Sequence, residues 1–578
     1  MRFIATATAL GLAALPALAG EGGPRLRLDF NPLGTYSTFL FDQGGCEIVQ
    51  FDAGTQRLYV VNGGNERIDV LDASPTGELV FAFSIDIASY GAGIQSIAIR
   101  NGVLGAAIAA AIDTDPGVAA FFDLDGNPLG SVQTGVLPDM IGCSDDGRYW
   151  VTADEGQPND AYDNDPVGGV TIIEFTKTGP IARVITFETV DPAVVEGPIV
   201  LSGPNADFAA DLEPEFIAFS SDSTRAFVSC QEANCIATLE LASGEWLSVK
   251  GLGFKDHMLP ENALDASDRD DAIRIANWPI SGILMPDGIA RFTIDGVDYI
   301  ATANEGDGRD YGGYSNETRV KDVVLDPVAF PDAASLQLQA NLGRIKMDAS
   351  QGDIDNDGDY DALYSFGGRS MSILDASGTL IADTGRLMEE VTATLLPDFF
   401  NSTNDENDTF DNRSDDKGPE PEGIAVGMVG GRTVAFVGLE RIGGVMAFDV
   451  SDPTSPVYAG YVNTRDFAGD PLAFTAGDLG PEGIDFIAAA DSPTGRPMLA
   501  VGFEISGTAR LIEIAEACAG DLNRDGEVDS VDLGLLLAAW GACTDPVCDA
   551  DLNGDGTVSS IDLGELLSRW GSCVGGNG

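Results

Sequence analysis

The sequence predicts an all-β fold, a seven- or eight-bladed β-propeller, followed by a small α-helical domain of two loop–helix units. Three observations lead to this expectation. One strand–turn–strand pattern recurs between residues 35 and 515, helix signals are almost absent before residue 515, and a different pattern is written twice after it. Repetition lets a long chain bury its apolar residues between neighbouring repeats instead of in one large core.

The N-terminus has the pattern of an export signal. Arg2 precedes an apolar run over residues 3–15, and the Ala-Leu-Ala sequence at 17–19 offers a small-residue cleavage site. We therefore expect residues 1–19 to be a signal peptide and the mature protein to be secreted or extracytoplasmic. Because no later apolar run is long enough to cross a bilayer, the sequence predicts no transmembrane anchor.

The charge balance restricts the partners of the chain. The formal net charge is −61 and the isoelectric point is about 4.1. Nucleic acids bind proteins through Lys and Arg, so the sequence excludes them as partners. The same excess of carboxylates favours bound metal cations. The eight cysteines are compatible with an oxidising compartment.

The repeat begins with Pro and an acid, continues through two apolar strands joined by a polar turn, and ends with Glu. Five copies carry the full motif. Their opening pairs are Pro138-Asp139, Pro214-Glu215, Pro286-Asp287, Pro421-Glu422 and Pro481-Glu482, and their closing acids are Glu155, Glu232, Glu305, Glu440 and Glu504. Three further units, near Glu47, Gln95 and Asp361, keep the strands but not the full motif.

Propeller topology places these acids together. The first strand of a blade lines the channel and the second returns antiparallel, so the start of the first and the end of the second share one face. The opening acids should therefore ring one channel mouth, with the closing glutamates just outside. Crowded carboxylates need compensation, either from metal cations or from the nearby Arg309, Lys417 and Arg441. The alternative is that each closing glutamate caps its own turn.

Two acidic segments lie inside the propeller region. Residues 353–361 read DIDNDGDYD, in which Asp353, Asp355, Asp357 and Asp361 supply carboxylates and Asp359 a carbonyl. This spacing predicts a structural calcium loop, with a solvated turn as the alternative. Residues 404–418 are acidic and turn-rich. They are expected to form either a metal-ordered loop over the channel mouth or a solvated insertion.

The C-terminal region contains one calcium-loop pattern twice, DLNRDGEVDSVD at 521–532 and DLNGDGTVSSID at 551–562. Calcium takes oxygens from positions 1, 3, 5, 9 and 12 and a carbonyl from position 7 of such a loop. The predicted ligands are Asp521, Asn523, Asp525, Glu527, Asp529 and Asp532 in the first loop, and Asp551, Asn553, Asp555, Thr557, Ser559 and Asp562 in the second. An apolar helix signal follows each loop.

Four cysteines bracket the two loop–helix units. Antiparallel helices would pair Cys518 with Cys573 and Cys543 with Cys548, although two other pairings stay possible. Upstream, Cys230 and Cys235 flank the short segment QEAN and could bridge a hairpin, and the pairing of Cys46 and Cys143 is undetermined.

The tail resembles a type I dockerin over residues 518–573, because position 12 of each loop is Asp and no helix signal precedes either loop. The resemblance implies that the tail docks onto a cohesin-type protein. The recognition positions of that family are Ser530-Val531 and Ser560-Ile561 here, so the usual Ser-Thr pair is only half kept. Two polar Asx turns are the alternative.

The central region resembles the choice-of-anchor I family of secreted propellers over residues 35–515. The resemblance rests on GFKDHMLPENALDASDRD (253–270), NWPISGILMPDGI (277–289), ANEGDGRDYGGY (303–314), YSFGGRSMSI (364–373), RSDDKGPEPEGIAVG (413–427), VGLERIGGVMAFDVSDP (437–453) and GDLGPEGIDFI (477–487). It implies an extracellular domain with a C-terminal anchoring signal. Some relatives are labelled alkaline phosphatase or esterase-like phytase, without a catalytic motif that could be transferred.

The residues leave three functional hypotheses. A single histidine, His257, excludes His-rich zinc sites, but calcium-assisted phosphate-ester hydrolysis stays possible. Its candidate residues are Glu305, Arg309, Lys417, Glu440 and Arg441. The alternatives are a non-catalytic surface propeller that binds a partner or glycan, and an accessory component of a polysaccharide-degrading complex.

Overall fold

The computed structural model describes residues 25–204, 207–544 and 546–573. The expected signal peptide at 1–19 lies outside these residues. The chain divides into two compact units, one spanning Leu28–Glu516 and the other combining Met1–Arg27 with Ala517–Gly578. In the described part of the chain, no helix has the length and apolar character needed to span a membrane.

The larger unit is a β-propeller whose blades are antiparallel sheets built on four strands. The first strand is β1 (Leu28–Ser37). The first blade contains β2 (Val49–Asp52), β3 (Arg57–Asn62), β4 (Arg67–Ala73) and β5 (Leu79–Asp86), and the second contains β6 (Gly93–Arg100), β7 (Val103–Ala109), β8 (Pro116–Asp123) and β9 (Pro128–Val136). The third blade contains β10 (Pro138–Cys143), β11 (Tyr149–Asp154), β12 (Gly169–Thr176) and β13 (Gly179–Thr186). The fourth blade follows with β14 (Val195–Glu196), α1 (Phe208–Asp211), β15 (Pro214–Phe219), β16 (Arg225–Cys230), β17 (Cys235–Glu240) and β18 (Glu245–Gly251).

An inserted sheet interrupts the fifth blade. The elements of this region are β19 (Phe254–Asp256), β20 (Ser281–Ile283), β21 (Ile289–Ile294), β22 (Val297–Asn304), β23 (Asp310–Tyr311), β24 (Tyr314–Ser315), β25 (Glu317–Arg319), α2 (Ala333–Leu336), β26 (Lys346–Asp348), β27 (Tyr364–Ser365), β28 (Ser370–Asp375) and β29 (Leu380–Asp383). The blade itself is β21-β22-β28-β29, whereas β19, β20, β27, β26 and β25 form the inserted sheet.

The last two blades complete the ring. Their elements are α3 (Leu387–Leu395), β30 (Pro421–Val429), β31 (Arg432–Leu439), β32 (Val445–Asp449), β33 (Val457–Val462), β34 (Pro481–Ile487), β35 (Met498–Phe503) and β36 (Thr508–Glu516). The innermost strands β2, β6, β10, β15, β21, β30 and β34 contact one another in this order, and β34 contacts β2. β1 pairs with β36, so strands from both ends of the unit form the seventh blade.

The predicted propeller is confirmed and has seven blades, but one expected unit is wrong. The segment near Asp361 does not begin a blade, because β27 pairs with β20 and β26 in the inserted sheet. β28 instead continues the fifth blade beside β22. The near absence of helices also holds, with α3 as the one nine-residue helix of this unit in the described residues.

Neighbouring blades pack through apolar side chains of their middle strands. Between the second and third blades, Phe121 meets Trp150 edge to face, with ring centroids 5.3 Å apart. Gly105 leaves the space for this indole, because a Cβ there would lie 2.7 Å from the Trp150 ring. Interiors pack densely enough that such a group would force a displacement.

The smaller unit contains β37 (Glu527–Val528), α4 (Ser530–Ala538), β38 (Gly541–Ala542), β39 (Thr557–Val558), α5 (Ser560–Ser568) and β40 (Gly571–Ser572). β37 pairs with β40, and β38 pairs with β39. The two loop–helix units share a small apolar core that includes Val528, Leu536, Val558 and Leu566.

Two disulfides close this unit. Cys518 bonds Cys573 and Cys543 bonds Cys548, which confirms the expected pairing. The suggested hairpin bridge between Cys230 and Cys235 is not present. These cysteines lie opposite each other in the register of β16 and β17 but are unbonded, as are Cys46 and Cys143.

The long-range disulfide should contribute more stability than the short one. Cys518–Cys573 spans 55 residues and Cys543–Cys548 spans 5, and the stabilisation from a cross-link grows with the closed loop. In a calcium-saturated 516–578 fragment, Cys518→Ala/Cys573→Ala should lower the free energy of unfolding by about 4 kcal/mol, against about 2 kcal/mol for Cys543→Ala/Cys548→Ala. Denaturant titration followed by circular dichroism measures both, and equal losses would contradict the prediction.

Candidate metal centre at the channel mouth

Seven side chains at the entrances of the innermost strands surround one end of the channel. They are Glu47, Gln95, Asp139, Glu215, Asp287, Glu422 and Glu482, and they line a cavity of about 550 Å³. We call them the mouth ring. The five opening acids predicted from the repeat are all members. Glu47 and Gln95, which belong to the blades without the full motif, complete it.

A bulge at the start of the innermost strands turns the ring acids towards the channel. In the third, fourth, sixth and seventh blades the Pro of the motif pairs with the last residue of the second strand, and the register shifts directly after it. The bulged position leaves one residue outside the ladder. Pro has no N–H to donate to a ladder and is tolerated at such a position.

A glycine directly follows several of the ring acids, and close contacts with the neighbouring backbone require it there. This requirement was not identified from the sequence. A Cβ on Gly423 would lie 1.7 Å from the carbonyl oxygen of Glu482, and one on Gly288 would lie 2.6 Å from that of Glu422. Successive innermost strands therefore approach too closely for any side chain at this position. The repeated P-E-G and P-D-G sequences were the available signal.

Three acids of the mouth form an open cluster, defined as Asp287, Glu305 and Glu422. One carboxylate oxygen from each lies within 4.8 Å of the others. Glu305 accepts hydrogen bonds from Gln231 Nε2 and Lys417 Nζ, both at 2.9 Å. Burial raises the pKa of Asp287, with Glu305 adding to the shift, and burial raises the pKa of Glu422. Glu422 Oε2 is buried and has no hydrogen-bond partner among the residues that the structure describes.

In a second cluster of carboxylates, basic side chains of the protein compensate the negative charge. Its acids are Glu305, Glu420 and Glu440. Glu420 is fully buried and is contacted by Arg413 at 2.5 Å, Arg441 at 2.9 Å and Lys417 at 3.1 Å. Burial alone would raise the pKa of Glu420, but these three cations hold it well below its usual range. Sequence reasoning missed Glu420, because its partners are assembled by the fold.

The three basic candidates for phosphate-ester hydrolysis, Arg309, Lys417 and Arg441, are all paired with carboxylates. Arg441 contacts Glu440 at 2.9 Å in addition to Glu420. Arg309 is almost completely buried and bonds Glu213 at 2.7 Å and Ser202 at 2.9 Å. Arg309 therefore lies behind the mouth as an internal counter-charge, and its cation is already matched.

The closing glutamates do not cap their turns through their side chains. In the described part of the chain, no backbone N–H is bonded to the carboxylate of any of the five, which are Glu155, Glu232, Glu305, Glu440 and Glu504. Glu232 Oε2 is buried without a partner, and burial and the charges of neighbouring acids raise the pKa of Glu155. Of the five, Glu155 and Glu305 line the mouth cavity.

The acidic segment 404–418 is ordered by ion pairs rather than being a solvated insertion. Its second half, from Asp411 onward, is mostly buried. Asp415 is paired with Arg319 and with Arg344, and Arg413 is paired with Asp416 at 3.1 Å. The segment ends at Lys417, whose ammonium reaches the open cluster.

The loop at 353–361 brings its carboxylates together in two groups. Asp353, Asp355 and Asp357 form one, and the side chains of Asp359 and Asp361 join Asp326 in the other. The backbone N–H of Gly358 donates to Asp353 at 3.1 Å, which holds the turn. The repulsion of Asp357 raises the pKa of Asp355. Asp326 was not expected, and Asp359 contributes a carboxylate where a carbonyl was predicted.

Both tail loops have the donor set that calcium requires. Asp532 is fully buried, and it accepts N–H bonds from Leu522 at 2.7 Å and Asp529 at 2.8 Å. Asp562 has the same role in the second loop, with Leu552 at 2.8 Å and Ser559 at 2.7 Å. These bonds fix both carboxylates inside their loops, at the position where calcium takes its last ligand. The residues present therefore fit calcium.

Comparisons with known proteins identify both units. The choice-of-anchor I domain matches residues 47–453, and the dockerin type I domain matches residues 519–569. Gigasin-3a of Magallana gigas is 35% identical over 194 residues, which cover 31% of this chain and 67% of that protein. The mesenchyme-specific cell surface glycoprotein of Strongylocentrotus purpuratus is 27% identical over 291 residues, covering 44% of this chain and 37% of that protein.

Solved structures with similar folds include the hydrazine synthase of Kuenenia stuttgartiensis and a streptogramin B lyase. The first has a TM-score of 0.44 at 12% identity and covers 82% of this chain and 96% of its own. The second has a TM-score of 0.41 at 10% identity, and the match covers 84% of this chain and 98% of the lyase chain.

Folding of the tail should depend on calcium and on the buried carboxylate at position 12. We expect a reduced 516–578 fragment to gain helical circular dichroism when calcium is added, because the loop carboxylates repel each other without it. Asp532→Asn/Asp562→Asn should abolish the gain. Glu527→Gln is the matched control, since position 7 offers its carbonyl. A helical signal independent of calcium would contradict this.

The metal-free propeller should lose stability as the pH rises. Burial raises the pKa of Asp139 to about 6, of Glu504 to about 7 and of Glu47 to about 8. The folded state then binds more protons than the unfolded state between these values and the ordinary carboxyl pKa, so stability falls across that window. Thermal melts of the chain in excess chelator should show a falling melting temperature from pH 5 to pH 8. A rise would contradict the burial of these charges.

Proposed function

The chain belongs to the choice-of-anchor I family, and we propose that it is an extracellular β-propeller that binds calcium at its channel mouth and is anchored through its dockerin tail. The observation that carries the proposal is the partnerless, buried Oε2 of Glu422 beside Asp287 and Glu305. A buried carboxylate oxygen without a hydrogen bond is costly. A divalent cation would satisfy it.

Each residue of the open cluster has a distinct role in this proposal. Asp287, Glu305 and Glu422 would hold the metal through hard oxygen ligands, which calcium prefers. Gln231 orients Glu305 through its amide. Lys417 bonds the other oxygen of Glu305 at 2.9 Å, so one carboxylate oxygen faces a fixed ammonium.

The tail supports an anchoring role. A dockerin domain implies a cohesin partner, and the residues at the recognition positions are available to one. Val531 is 51% exposed and Ile561 is 56% exposed, although both are apolar. One relative is a cell surface glycoprotein by name, which supports a location at the cell surface.

A second candidate function is calcium-dependent hydrolysis of phosphate esters. It is favoured by the proximity of the open cluster to the Lys417 ammonium, since both a metal and a cation would then face one site. Calcium bound there would polarise a phosphoryl oxygen and orient water. Arg309 and Arg441 would support the site as counter-charges to Glu213 and Glu440. Without this activity, the propeller is a binding domain for a partner or glycan, or an accessory of a polysaccharide-degrading complex.

Calcium binding at the open cluster can be tested by substitution. Asp287→Asn/Glu422→Gln keeps shape and hydrogen-bonding oxygen but removes charge, so the full chain should bind about one fewer calcium ion. Isothermal titration calorimetry measures the stoichiometry. Glu440→Gln is the control, because Arg441 and Asn404 already bond that carboxylate at 2.9 and 2.7 Å. Equal stoichiometry in the double variant and the wild type would remove the open cluster as a site.

Catalysis is tested separately with p-nitrophenyl phosphate and bis(p-nitrophenyl) phosphate. The proposal expects hydrolysis that requires calcium, stops in excess chelator and falls by at least about tenfold in Glu422→Gln. The exposed Glu188→Gln should have wild-type activity. Calcium binding with no hydrolysis of either ester would leave the binding function and exclude these ester classes.

A further inference from the structure

A second cavity lies on the seventh blade, apart from the mouth ring. It has a volume of about 160 Å³ and is formed by the end of β1, the segment 471–479 and the turn between β35 and β36. Phe39 and Phe474 line it with rings that pack edge to face, and we call these two the wall residues. Asp478, Thr508 and Arg510 line its floor. We call this cavity the blade-seven pocket.

Both wall residues have a left-handed backbone conformation, which is unusual for Phe, and both expose an apolar ring to solvent. Phe39 has a φ of 59° and is 69% exposed, and Phe474 has a φ of 55° and is 41% exposed. Their ring centroids are 5.6 Å apart at 79°. Apart from these two, Tyr162 is the only aromatic residue with positive φ in the described ranges. Non-glycine residues in this backbone region are strained, and such residues cluster at ligand-binding and active sites.

Local hydrogen bonds fix both strained residues. The N–H of Phe39 donates to Ser37 Oγ at 3.1 Å, and the N–H of Thr38 donates to the carbonyl of Gly507 at 2.9 Å. Phe474 closes a short turn by donating its N–H to Pro471 at 3.0 Å. The rings are therefore positioned before any ligand arrives, which lowers the entropy lost on binding.

The floor is polar but carries no net charge. Asp478 is 1% exposed and accepts hydrogen bonds from Arg510 Nε and from Thr508 Oγ1, the latter at 2.8 Å. Thr508 Oγ1 also shares a hydrogen bond of 2.7 Å with Ser506 Oγ. Ser506 Oγ is buried and also accepts the N–H of Leu479 at 3.0 Å, and Arg510 donates through Nη1 to the carbonyl of Leu33 at 3.1 Å. The partly exposed Thr508 and Arg510 are therefore the polar groups that remain accessible beside the apolar rings.

We propose that the blade-seven pocket binds one neutral pyranose ring of a glycan. A pyranose has an apolar C–H face that packs on an aromatic ring, and its hydroxyls would bond to Thr508 Oγ1 and to the guanidinium of Arg510, which line the cavity. The cavity is smaller than the roughly 300 Å³ at which pockets for larger organic ligands begin, so it takes a single ring. The net charge of −61 disfavours an anionic ligand.

The pocket and the mouth ring lie on the same face of the propeller. Asp478 lies just before β34, whose second residue is the ring acid Glu482, and Ser506 follows Glu504 in the turn after β35. A glycan seated by one sugar would therefore extend beside the channel mouth. The proposal does not depend on calcium at the ring, and binding should persist in chelator.

The test titrates the full chain in excess chelator with cellopentaose and xylopentaose, whose hydroxyls are equatorial, and with mannopentaose and galactopentaose, which have axial ones. Isothermal titration calorimetry should detect saturable binding of at least one sugar. Phe39→Ala and Phe474→Ala should each weaken it at least tenfold. Leu472→Ala is the control, because Leu472 is 74% exposed on the same segment but does not line the pocket.

A second measurement separates ligand binding from a structural role. Phe39→Gly and Phe474→Gly relieve the positive φ, so they should abolish binding while leaving the melting temperature unchanged or higher. A falling melting temperature would indicate that the rings stabilise the fold, and would overturn the proposal. Absence of saturable binding to all four sugars, or binding that Phe39→Ala and Phe474→Ala do not weaken, would also overturn it.

Discussion

Electrostatic repulsion among the carboxylates at the channel mouth is the constraint on which the rest of the propeller depends. Blade closure brings an acid from nearly every innermost strand to one cavity, where burial removes water that would screen them. The protein compensates part of this charge with Arg413, Lys417 and Arg441, which surround Glu420. In the open cluster of Asp287, Glu305 and Glu422, the ion pair found among the described residues joins Glu305 to the ammonium of Lys417, which Glu420 shares.

The architecture and the charge are coupled through short sequence elements. Pro at the bulge and Gly after the acid let neighbouring innermost strands approach, and this approach concentrates the acids. The segment 404–418 then supplies counter-charge, because its buried second half places Lys417 beside Glu305. The residues whose repulsion lowers the stability of the fold are therefore also those of the proposed metal site. A chain that only needed a stable propeller could fill these positions with apolar side chains.

Much of this arrangement could be predicted from the sequence because it repeats. The five Pro-acid pairs and closing glutamates indicated the blades and their common face, and the spacing of the tail loops predicted which residues would bind calcium. The number of blades was left open, since the strands near Asp361 have the same local pattern as a blade start. Only pairing with β20 and β26 assigns them to the inserted sheet.

Contacts between residues far apart in sequence account for what could not be predicted. Glu420 has no repeat signature, and its role follows from three cations that the fold collects. Arg309 is close in sequence to a mouth acid, yet it turns away to Glu213 and Ser202. The blade-seven pocket joins β1 to segments near the other end of the unit, so no local pattern indicated it.

Anomalous X-ray diffraction from crystals grown in calcium would test the central claim most directly. We predict an anomalous peak within coordination distance of Asp287, Glu305 and Glu422. Peaks at the tail loops, whose donor sets fit calcium, serve as internal positive controls. Occupied tail loops with no peak at the mouth would contradict the claim that the open cluster is a metal centre.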